Sequence, residues 1–217
     1  LGVACVGAAL GMKAELEATG KEGTVVFYGC PAEEVLTGKA FMAREGAFTD
    51  LDVAFSWHGS SSNNLSVGTM TGLNSAIFHF TGVTAHAGGD PHNGRSALDA
   101  CELMNVGANY LREHMIPEAR IHYAYRDAGG GAPNVVQDHA ALYYFIRAPK
   151  VSQAVELRER VDNCAKGAAL MTGTTLEITT TDGLCDFIPN QTLSALLQQG
   201  LEAVGAPRFT DADRALA

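Results

Sequence analysis

The 217-residue chain carries 15 Lys+Arg against 24 Asp+Glu, a formal net charge of −9, and has no basic block along its length. That field repels phosphate backbones, which argues against nucleic-acid binding, and no uncharged apolar run approaches the roughly 18 residues that span a bilayer. Hydrophobic residues at 47% and charged residues at 18% are ordinary for a globular enzyme of one large or two small domains. Cys5, Cys30, Cys101, Cys164 and Cys185 are odd in number, widely spaced and free of any CxxC pair. This usage fits a reducing cytoplasm, and it argues against a disulfide scaffold or a structural zinc knuckle.

Residues 1–18 set Val3, Val6, Leu10, Met12 and Leu16 among Ala and Gly, which predicts a tightly packed helix rather than a signal peptide. Thr24–Tyr28 and Val53–Trp57 are short apolar runs of the kind that form fully buried strands, with a helix expected between them through Lys39–Glu45. Strand, helix, strand in that space predicts a parallel α/β arrangement, whose strand ends carry the site. Near Gly68 the pattern changes. From Ser75 to Thr84 residues alternate as in a half-exposed strand, followed by a Gly/Pro/Asn-rich loop (88–94) and an amphipathic helix over Ser96–His114. Strands at Arg120–Tyr125 and Ala140–Arg147, a helix over Ser152–Met171 and a strand at Thr175–Thr181 complete a split βαβ pattern. The fold class expected is α/β: a partial parallel-sheet catalytic domain in two fragments (1–69 and 185–217), the second with a helix over Gln191–Val204. A ferredoxin-like α+β domain (70–184) is inserted between them.

The strongest local signal is Cys30-Pro31-Ala32-Glu33-Glu34, directly after an expected strand. Adjacent carboxylates repel unless something positive sits beside them, and a divalent metal with one carboxylate as ligand and the other as base satisfies that need. The plainer alternative is a pair that starts a helix, favoured by the macrodipole. His58 ends the second expected strand, so parallel topology delivers it to the same sheet edge; imidazole and carboxylate together suit zinc or manganese. His86, Asn134 and Arg147 supply the donors that hold a carboxylate or an oxyanion. Each also has a structural alternative: packing a turn, capping one, or making a surface ion pair. The run Gly129-Gly130-Gly131 lacks both GxGxxG and a P-loop Lys-Ser/Thr, so it does not predict a nucleotide site.

Four motifs occur in a fixed order: PAEE at 31–34, a strand ending in His58, AHA-x-x-x-P at 85–91, and GG-x-x-PN at 129–134, whose Asn lies 13 residues before Arg147. Together they resemble the two-metal aminoacylase and carboxypeptidase family of amidohydrolases, a likeness that runs through nearly the whole chain. The resemblance implies Glu33 as general base, Glu34 and His58 as metal ligands, and His86, Asn134 and Arg147 as substrate-binding residues. It further implies two divalent ions, Zn2+ or Mn2+, per complete site. It makes the insert a lid and dimerisation domain and the protein a homodimer or a heterodimer with a related A-like subunit. The substrate implied is a small N-acyl amino acid such as an aminobenzoyl-glutamate.

Two further ligands expected of the family on an upstream Cys/His-bearing segment, and a last His near the carboxyl end, have no counterpart here. Cys5 lies inside the first helix, and no His follows His139. The chain alone is therefore expected to be inactive. Two rival readings remain open: a non-catalytic dimerisation module, and a thiol hydrolase using Cys30, although Pro31 offers no backbone N–H for an oxyanion hole.

Overall fold

The computed structural model describes residues 2–34, 38–60, 62–65, 68 and 70–216. The chain forms two compact units, one of residues 1–68 with 189–217 and the other of residues 69–188. In the first unit, helix α1 (Gly2–Thr19) is followed by an irregular segment and then by the short helix α2 (Gly38–Arg44). α1 forms where the apolar periodicity expects a helix, but it is not tightly packed. None of its residues is buried, and Val3 and Leu10 stand 88% and 61% exposed.

The buried parallel strands expected at 24–28 and 53–57 are not formed, and no parallel pairing occurs among the described residues. Both segments are irregular, and Val26, Phe27, Phe55 and Trp57 are about half exposed. A strand exists only through its ladder partners, and a parallel one also needs cover on both faces. Apolar composition meets neither condition by itself. What order the first segment has comes from Tyr28, whose hydroxyl donates to the Ala47 carbonyl at 2.6 Å and whose ring meets Phe48 edge-on at 5.0 Å.

The second unit is a two-layer α/β sandwich. In chain order it comprises β1 (Gly72–Thr81), β2 (Ala85–His86), α3 (Ala97–Leu111), β3 (Arg120–Asp127), β4 (Val135–Val136), β5 (His139–Ala148), α4 (Val151–Thr172) and β6 (Thr175–Leu184). The main sheet has the order β3-β5-β1-β6 with every pairing antiparallel, and β2 and β4 form a separate two-stranded ladder. In this order each βαβ crossover leaves room for one strand of the other, which is the split βαβ arrangement expected from the sequence.

Alternation along β1 sends Ala76, Phe78 and Phe80 to the helical side. There they join Tyr144 and Ile146 of β5, Cys101 and Met104 of α3, and Val161 and Ala165 of α4 in one core. Ile77 and His79, on the opposite face, are only partly buried. Ser96 caps α3, accepting from the Asp99 N–H at 3.0 Å, and Gly173 ends α4 in the left-handed conformation (φ 65°). Polar groups inside this unit are paired. Tyr144 donates to Asn105 Oδ1 at 2.6 Å, and Arg158, 7% exposed, reaches Asp162, Asn74 and Thr180. The chain then returns to the first unit with α5 (Gln191–Val204), capped by Asn190, and α6 (Asp211–Leu216).

Candidate functional site

The two groups of candidate residues fall in different units: Glu33, Glu34 and His58 in the first, and His86, Asn134 and Arg147 in the second. Glu33 and Glu34 occupy an exposed turn. Just ahead of it, Ala32 has φ 55°, the left-handed conformation that a residue with a Cβ enters at a cost. The same loop is pressed against the start of α2, since a Cβ added to Gly38 would stand 1.7 Å from the Pro31 carbonyl oxygen. Glycine is required there by close approach, and it fixes where the loop bearing the two carboxylates begins.

His58 is exposed, and its Nδ1 lies 2.7 Å from the Gly59 carbonyl oxygen. A carbonyl can only accept, so Nδ1 donates to it and Nε2 is left free of that contact, the side from which a neutral imidazole binds a metal. Carboxylate and imidazole donors thus suit Zn2+ or Mn2+ in kind. In number they do not suffice: among the described residues no three His, Cys, Asp or Glu side chains gather closely enough to hold a metal ion.

In the second unit the β2–β4 ladder brings together two candidates far apart in sequence. His86 pairs with Val135, and the Ala87 N–H donates to the Asn134 carbonyl at 2.9 Å, so His86 and Asn134 occupy neighbouring backbone positions of one ladder, both exposed. The Gly88 N–H donates to His86 Nδ1 at 3.1 Å, which places the ring proton on Nε2. His86 is therefore a hydrogen-bond donor through Nε2, whereas His58 donates through Nδ1. Gly94 packs closely on the side chains of the ladder: a Cβ there would meet the Val136 side chain at 2.9 Å and the Ala85 methyl at 3.1 Å.

Arg147 is not brought to this place. It sits at the other end of β5, half-buried opposite Leu73 and Arg120, with its guanidinium 5.8 Å from the Phe145 ring centre. From His139 to Arg147 the strand rises roughly 27 Å, too far for one small molecule to touch both ends.

Two of the cysteines, Cys101 and Cys164, offer little as nucleophiles. Burial, then the charges of Glu102 and Asp127, push the Cys101 thiol up to about 12, and burial also raises Cys164. Cys30 is half-buried, its thiol 3.9 Å from the Tyr28 carbonyl oxygen. No helix among the described residues is long and apolar enough to cross a membrane.

Residues 69–173, slightly under half of the chain, match the peptidase dimerisation domain of the M20 type. The whole chain is 44% identical to the B-type polypeptide of the p-aminobenzoyl-glutamate hydrolase of Escherichia coli, of which it covers 45%. Over 90% of its length it is 35% identical to the Xaa-Arg dipeptidase of Mus musculus, of which it covers 46%. It thus spans slightly under half the length of these relatives.

Among solved structures, an aminobenzoyl-glutamate utilization protein from Klebsiella pneumoniae superposes with a TM-score of 0.51 at 24% identity, covering 62% of this chain and 34% of that one. A hydantoinase/carbamoylase-family amidase from Burkholderia vietnamiensis gives 0.53 at 16% identity, covering 63% and 33%. These likenesses establish a shared fold. The matched relatives are hydrolases, and in kind they are amidohydrolases.

Proposed function

We propose that the chain is part of a metal-dependent amidohydrolase acting on a small N-acyl amino acid of the aminobenzoyl-glutamate kind. The observation that carries this is the hydrogen bonding of the two imidazoles. His58 donates from Nδ1 in the unit that also holds Glu33 and Glu34, which leaves Nε2 for a metal, while His86 offers an Nε2–H on the ladder next to the position of Asn134, as a group holding a carboxylate or oxyanion must.

On this reading Glu34 and His58 are metal ligands, and the other donors come from the part of the relatives' length that this chain does not span. By itself the chain is inactive. When bound, the divalent metal, Zn2+ or Mn2+, supplies a more acidic water for attack on the amide carbonyl. Glu33 takes a proton from the attacking water and passes it to the leaving nitrogen. His86 and Asn134 hold the developing oxyanion or the substrate carboxylate, and Arg147 grips a carboxylate bidentately.

Arg147 lies roughly 27 Å along β5 from His139, and the His86–Asn134 ladder precedes that start of β5, so on this reading one insert does not present all three to one substrate. A second subunit can, and the M20 dimerisation domain supports such an assembly. The partner is a second copy or a related A-like subunit, and His86 acts on the partner's site.

The division of labour between the two carboxylates is the direct test. In the hydrolase containing this chain, Glu33→Gln is expected to lower turnover by roughly 10²–10⁴-fold with metal content nearly unchanged, whereas Glu34→Gln is expected to lose metal. Equal metal loss in both variants would contradict the assignment.

A further inference from the structure

His139 opens β5 with a carboxylate on each ring nitrogen. Its Nδ1 is 2.7 Å from Asp138 Oδ1 and its Nε2 is 3.4 Å from Asp127 Oδ2. A neutral imidazole has one N–H, so it satisfies one carboxylate and turns a lone pair to the other; only the imidazolium donates to both. These two are the charged groups facing the ring, Asp127 from the end of β3 and Asp138 from its own β4–β5 turn. β1 presents the uncharged Thr81 opposite His139.

What this pair of contacts closes is the base of the segment from residue 128 to residue 138. At one side, Asp127 Oδ1 accepts the Gly129 N–H at 2.9 Å. Gly129 (φ 78°) lies so close to the His139 carbonyl that a Cβ there would stand 2.4 Å from it. At the other side, the Asp138 and Gln137 carbonyls accept N–H groups of Gly82 and Ala97, both at 2.8 Å. Between the two anchored sides stands Asn134, next to His86.

We propose that His139 is a positioning residue: as an imidazolium it clamps Asp127 to Asp138 and so holds Asn134 in place beside His86. The proposal rests on the reading of Asn134 as substrate-binding and adds to it a residue that never touches substrate. The hydrogen bond His139 donates to Asp138, then the charge of Asp127, hold the imidazole above its ordinary value of 6.5. A raised folded-state value means that the clamp is complete below about pH 6.5 and is lost as pH climbs through the higher folded value. Because His139 is exposed, the effect on binding is that of a solvated ion pair, about two- to five-fold.

The clamp is testable in the 217-residue chain by NMR, from about pH 5 to about pH 9. The His139 ring is expected to titrate above the ordinary histidine value, with the Gly129 and Asn134 amides following the same midpoint. Asp127→Asn should lower that midpoint, and His139→Gln should abolish the loop response. A ring titrating at or below the ordinary value, or loop amides that stay flat through its titration, would overturn the clamp.

In the hydrolase, His139→Gln should raise KM about two- to five-fold with kcat little changed. His139→Arg, charged at every pH, should keep KM low and remove its rise at high pH. A clamp present by NMR with KM indifferent to both variants would instead refute the role given to Asn134, and with it the positioning claim.

Discussion

Glu33 and Glu34 owe their place to neighbours that carry no charge. Pro31 sets the entry to their turn, Ala32 accepts a left-handed backbone, and Gly38 lets the Pro31 carbonyl approach to a distance that no side chain allows. Gly38→Ala drives a methyl into a backbone oxygen, an overpacking that costs about 1–3 kcal/mol. Chemical denaturation of the chain should show a loss in that range, and a variant as stable as the parent would mean that the contact is absent.

At this scale the candidate residues were legible as types in ordered motifs. Their spacing was legible only in part. Nothing in the sequence placed His86 beside Asn134, because the ladder that joins them consists of two strands of two residues each, too short for any periodicity to register. Nor could it show that Arg147 stands at the opposite end of β5, since 13 residues of separation from Asn134 are compatible with either place until the start of β5 is known.

Among the elements, those of the second unit were read well because their pattern and their environment agree. β1 alternates and is covered on one face; α3 and α4 carry apolar stripes and cover it. Residues 24–28 and 53–57 show the converse: an apolar run states what a segment does when partners flank it, and here no ladder partner is present among the described residues.

The buried polar groups were not foreseen at all. Arg158 lies under β1 with its guanidinium 5.5 Å from the Phe78 ring centre, and Asp162, at 2.6 Å, keeps 22% of its side chain in water. Removing the cation leaves that carboxylate and the Asn74 carbonyl oxygen short of a donor. Arg158→Ala should therefore cost about 2–3 kcal/mol, less than a sealed pair because Asp162 is partly solvated. A shift in denaturation midpoint worth less than about 0.5 kcal/mol would reduce the pair to an ordinary surface contact.

For the whole molecule, a dimerisation-type unit falls, in chain order, between two segments of another unit that holds Glu33, Glu34 and His58. A net charge of −9 suits recognition of a small substrate by a few local donors rather than attraction of a polyanion. The central claim is that such a chain completes a hydrolase site only in partnership, with His86 serving the neighbouring protomer. Mixing a Glu33→Gln form of the hydrolase with a His86→Ala form tests it directly. If His86 acts in trans, each hybrid dimer holds one site with both lesions and one with neither, and regains about half the activity of a wild-type dimer. If the mixture stays as inactive as its two components while hybrid dimers are shown to form, His86 serves its own chain and the account is contradicted.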